Sequence, residues 1–69
     1  MPYINIQITD ENVTTAQKVE LIEGATDLLQ RVLNKNPATT VVVIEEVPLE
    51  NWGVGGMPVS VYRKIIAND

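Results

Sequence analysis

Residues 39–45, Thr-Thr-Val-Val-Val-Ile-Glu, are β-branched through their centre and form the strongest strand signal in the chain. A second strand pattern precedes them. In residues 3–9, Ile4, Ile6 and Ile8 alternate with Tyr3, Asn5, Gln7 and Thr9, as expected of a strand with one buried face. Only one segment of helical periodicity separates the two runs, so they are expected to lie parallel through a right-handed crossover. The chain reads as a β-α-β unit of the α+β class.

The helix carries its own start and stop signals. Thr14-Thr15-Ala16-Gln17 is a capping box, in which the Thr14 hydroxyl accepts from the Gln17 amide and the Gln17 side chain returns to the Thr14 amide. Ile22, Ala25, Leu29, Val32 and Leu33 recur at helical spacing, and Val19, Leu21 and Leu28 widen the stripe beyond what a small sheet covers. A second partner surface is implied. Asp27 and Arg31 are spaced for an i,i+4 pair. Gly24 inside the helix costs about 1 kcal/mol against alanine, which is either simply tolerated or offset by close helix packing. Asn34-Lys35-Asn36-Pro37 ends the helix, because the residue before proline leaves the α region and asparagine tolerates a left-handed turn. After Pro48, residues 51–61 combine turn formers with short apolar alternation and predict a C-terminal hairpin. Residues 62–69 read as a short helix or a frayed end.

The whole chain, residues 1–69, is expected to be one domain. A core of this size, without a disulfide, usually needs oligomerisation, and a lone hairpin is marginal until it joins a neighbouring sheet. Nine acidic residues against five scattered basic ones argue against nucleic-acid binding. With no cysteine or histidine, thiol chemistry and the commonest general base and metal ligand are excluded. No metal and no cofactor are expected. No apolar run approaches the ~18 residues of a membrane span, and the N-terminus lacks a signal-peptide pattern, so a cytoplasmic protein without a membrane partner is expected.

Those exclusions move attention to Pro2. If Met1 is removed, the chain starts with a secondary amine, and an apolar surrounding lowers an amine's pKa toward neutrality, where it can act as a general base. The plainer alternative is a start that merely tolerates processing. Glu45 and Glu46 fall on opposite strand faces and cannot converge on one substrate within one chain. Trp52, beside Gly53-Val54-Gly55-Gly56, is either an interface anchor or the apolar wall of a pocket. The glycine run lacks the spacing of a phosphate cradle.

Taken in order, Pro2, the first strand, the helix containing Gln17-Lys18, the strand led in by Pro37-Ala38-Thr39-Thr40-Val41 and the Trp52-to-Gly56 segment resemble the 4-oxalocrotonate tautomerase family over residues 2–58. The resemblance implies subunits that pair into a four-stranded sheet and assemble as a homohexamer, with a dimer as the smaller alternative. It also implies an isomerase in which the Pro2 amine moves a proton between the enol oxygen and a carbon of a small 2-oxo acid. It places Trp52 in the pocket. Two arginines of the founding enzyme have no counterpart: the first falls on Asn12, or on Val13 if counted back from the capping box, and the second on Val42. Asn12 is the candidate for polarising the substrate oxygen, Val42 lines the substrate site, and Arg63 is the basic residue best placed to stand in. A dehalogenase is disfavoured, because Val54 occupies the position where such relatives carry a water-activating carboxylate. The rival reading is a catalytically silent assembly subunit that needs a paralogous partner to supply arginine.

Overall fold

A computed structural model describes residues 1–67. Strand β1 (Tyr3–Thr9) pairs in parallel with β2 (Val41–Val47) in a two-stranded sheet, in a register running from Tyr3 opposite Val41 to Thr9 opposite Val47. Helix α1 (Thr15–Leu33) makes the crossover. The β-α-β unit and the hairpin expected from the sequence are both present.

The capping box forms as written. The Thr14 hydroxyl accepts from the Gln17 amide at 3.1 Å, and the Thr14 amide donates to the Gln17 side chain at 2.9 Å. At the other end Asn34 adopts the left-handed conformation, with φ of 54°, and closes the helix through its amide. The second strand starts two residues later than the β-branched run suggests. Asn36 caps a 3-10 turn (Pro37–Thr39), its side chain accepting from the Ala38 amide, and the Thr39 and Thr40 hydroxyls donate to the Asn36 carbonyl. Local side-chain bonding outcompetes strand propensity at those two threonines. Asp27 and Arg31 are not among the ion pairs of the described residues, which are Lys18–Glu46 and Arg63–Glu11.

After a second 3-10 turn (Leu49–Asn51), strands β3 (Gly53–Val54) and β4 (Met57–Pro58) form an antiparallel hairpin. Gly55 and Gly56 both have positive φ, 63° and 82°, as a two-residue hairpin turn of the primed type requires. The hairpin is shorter than residues 51–61. Val59, Ser60 and Val61 begin helix α2 (Val59–Ala67) rather than extending the strand. The Val59 amide completes the hairpin by donating to the Trp52 carbonyl at 2.8 Å, and Val59 and Tyr62 then fall on one helical face. Val59 is buried and Tyr62 half-buried, so the three-residue spacing wins over the alternation of residues 59–61. Of the tail, Asn68 and Asp69 lie outside the described residues.

Val59 is the one buried hydrophobic side chain among the described residues. The radius of gyration is 15.7 Å, with extents of 45 × 23 × 20 Å. A compact chain of this length has a radius of about 11 Å, so the molecule is extended and its apolar surface is largely open. Leu21, Ile22, Leu28 and Val32 remain exposed on α1, and Tyr3 and Val41 on the sheet face that α1 does not cover. No helix of the described residues is long and apolar enough to cross a membrane.

Candidate active site

The two ends of the sheet differ in chemistry. At its start, the Pro2 carbonyl accepts from the Val41 amide at 3.0 Å, which ties Pro2 to the head of β2. Pro2 is half-buried and Met1 is 91% exposed. Val42 lies opposite Ile4 in the parallel register and is half-buried. Side chains i and i+2 share a strand face, so Pro2, Ile4 and Val42 belong to the same face. That face is the one covered by α1, because Glu46, four residues beyond Val42, pairs with Lys18 on the helix. Glu45 lies on the other face, where it accepts from Asn5 at 2.8 Å and from Gln7 at 3.4 Å. The two adjacent carboxylates do point apart.

The far end is polar. The Asp10 amide donates to the Val47 carbonyl at 2.8 Å and closes the sheet. Glu11 follows, and both guanidinium nitrogens of Arg63, on α2, donate to its carboxylate, the Nη2–Oε2 distance being 3.2 Å. The Thr9 hydroxyl donates to the same carboxylate. Arg63 first, and Thr9 after it, hold the Glu11 carboxyl down to about 2 from its ordinary 4.5, and Glu11 raises the guanidinium of Arg63 in turn. Lys18 likewise lowers Glu46. Asn12 comes next with a positive φ of 65°, exposed at the mouth of an open groove of about 990 Å³. The groove follows β1 and the near flank of α1, with Ile6, Ile8, Leu21, Ala25 and Leu28 as its apolar lining.

The sequence-predicted residues therefore fall into two groups. Pro2 and Val42 stand at one end, while Asn12, next to Glu11 in the chain, and Arg63, paired with Glu11, stand at the other. Seven strand residues at about 3.3 Å each put roughly 20 Å between them. Trp52 is half-buried between the second 3-10 turn and β3, and its backbone bonds are to Leu49 and Val59 within the C-terminal segment. Sequence reasoning missed Glu11. Its partner is 52 positions away, and no local spacing announces such a pair.

Residues 2–62 match the model of the tautomerase enzymes. The chain is 55% identical over 64 residues to a probable tautomerase K2 of Dickeya dadantii, covering 93% of this chain and 96% of that protein. It is 39% identical over 57 residues to a 2-hydroxymuconate tautomerase of Pseudomonas putida, covering 83% and 89%. Among solved structures, DmpI from Helicobacter pylori superposes with a TM-score of 0.85 at 49% identity, over 91% of this chain and 97% of that one. The chain belongs to the tautomerase family, in its 4-oxalocrotonate tautomerase branch, and is an isomerase.

Proposed function

We propose that Pro2, freed of Met1, is the general base of a cofactor-free keto-enol tautomerase acting on a small enolisable 2-oxo acid. The observation that carries this reading is the place of Pro2 at the head of β1 in a tautomerase-family chain that has no histidine or cysteine to serve instead. The amine takes the proton of the enol hydroxyl, the C=C electrons reach for a proton as the C=O forms, and the same ammonium returns one to carbon. Nothing else is consumed.

The working unit is a cytoplasmic homohexamer, or at least a dimer. Isologous contact of two β1 edges runs the strands antiparallel, which sets Pro2 of one subunit against the Asn12 end of the other and covers the apolar groove. The open sheet face around Tyr3 and Val41 supplies the contact between dimers. Trp52 gives the pocket an apolar wall that keeps the amine dry, and Asn12 donates to the substrate oxygen. Val42 in place of a cation directs the enzyme toward substrates less charged than 2-hydroxymuconate, the substrate named for the Pseudomonas putida relative.

Intact mass combined with phenylpyruvate enol-keto turnover is the test. Processed protein should turn over and Met1-bearing protein should not; equal rates would remove Pro2 as the base. The rival, a silent subunit awaiting a paralogue's arginines, is favoured by Val42 at the Pro2 end. Turnover by the purified homo-oligomer excludes it.

A further inference from the structure

Every cation seen bridged at the far end of the sheet already holds a carboxylate. Lys18 pairs with Glu46 and Arg63 with Glu11, while Glu20 adds negative charge to the lining of the groove. The Arg63 fork is spent in both its prongs on Glu11, and Thr9 donates to the same carboxylate, so the pair is charge-compensated and held from two sides. Glu11, Thr9 and Asn12 all line the groove. A substrate carboxylate arriving there needs a guanidinium with net charge to spare, because bidentate recognition is charge-assisted.

We propose that Glu11 is a specificity-determining residue: by holding Arg63 in a neutral pair beside Asn12, it makes the site discriminate against dicarboxylic enols. The inference rests on the reading of this groove end as part of a shared pocket, and it adds a second, independent reason to the loss of arginine at residue 42. Arg63 is thereby reassigned. It is not the free stand-in cation that the sequence suggests but one silenced by its neighbour, and it becomes a carboxylate ligand only when Glu11 loses its charge. Because Glu11 is held ionised down to about pH 2, ordinary assay conditions do not lift the silencing.

The test compares wild type, Glu11→Gln, Glu11→Ala and the double variant Glu11→Gln/Arg63→Ala, with oligomeric state and circular dichroism confirming assembly. The readout is the ratio of kcat/KM for 2-hydroxymuconate to that for phenylpyruvate enol. Both single variants should raise the ratio about tenfold or more, the gain should shrink with added salt, and the double variant should return it to the wild-type value. An unchanged ratio in the single variants, or a gain that survives loss of Arg63, overturns the proposal. Equilibrium binding of adipate against hexanoate gives the same diacid-to-monoacid ratio without turnover. If Pro2 is not the base, Met1-bearing and processed protein turn over alike, and that binding ratio remains readable independently.

Discussion

The two ends of the parallel sheet are made of the same strands and carry opposite chemistry. At the Pro2 end the neighbours are Ile4 and Val42, with no charged side chain on that face of the first residues of either strand. At the Glu11 end, two ion pairs and a hydroxyl crowd within a few residues of the strand termini. The proposed mechanism assigns the base to the first environment, since an apolar surrounding disfavours an amine's charged form, and a polar substrate group to the second. A single chain keeps these environments a strand length apart. On the proposed reading, a second subunit running the other way brings them together.

The largest effect should come from the quiet end. Retention of Met1 converts the Pro2 nitrogen into an amide with no basic lone pair, and turnover should fall to the uncatalysed level. Pro2→Ala, once processed, leaves a primary amine in altered geometry and should lower kcat by about 10²–10⁴-fold, the usual share of a general base. A Pro2→Ala rate within threefold of wild type would show that the quiet end does no chemistry.

Next comes the union of the two ends. Leu21→Glu or Leu28→Glu places a charge in the apolar lining of the groove, open in the single chain but covered in the proposed dimer, where an unpaired buried ion is strongly unfavourable. Sedimentation equilibrium should show loss of the oligomer, and activity should disappear with it although Pro2 is intact. An active, folded monomer would break the comparison, because one chain would then be sufficient.

A third measurement sharpens the contrast at the Pro2 end itself. Val42→Arg restores a cation there, and a charge-assisted contact of roughly 1.5–3 kcal/mol predicts a gain of tenfold or more in kcat/KM for 2-hydroxymuconate, with phenylpyruvate turnover nearly unchanged. No preferential gain would mean that residue 42 does not face the substrate.

The fold was far more legible in the sequence than the site. The parallel unit follows from Ile4, Ile6 and Ile8 and from the β-branched run, and the helix start from Thr14 and Gln17, because these are local signals whose partners lie within a few residues. The errors are also local in origin: Asn36 recruits Thr39 and Thr40 into a turn, and Val59 begins a helix where alternation suggested a strand. Pro2 and Trp52 stood out from the residues alone, Asn12, Val42 and Arg63 followed only from the resemblance, and the residue that organises the far end did not come at all. Arg63 and Glu11 meet only after the chain has completed the sheet and the hairpin, so their pairing is a tertiary fact without a sequence period.

Thr14→Ala tests the cap alone and should cost about 1 kcal/mol in stability, read as a lower thermal midpoint with substrate preference unchanged.

The smallest expected effect concerns acid. Glu11 has its folded-state pKa depressed from 4.5 to about 2, and Glu46 is depressed in the same direction by Lys18. A depressed carboxyl contributes stability that is fully present above its unfolded pKa and is lost as pH falls through its folded pKa. The Arg63 latch should therefore stay closed through neutral pH and loosen only from about pH 4.5 down to 2. Both partners are largely exposed, so the contribution to global stability is small and screened by salt. Hydrogen exchange should show helix α2 gaining protons faster across that window while α1, held by its own cap, changes little. If α1 and α2 loosen together, the far end is not an independent element, and the difference between the two ends of the sheet is one of charge without a separate local stability.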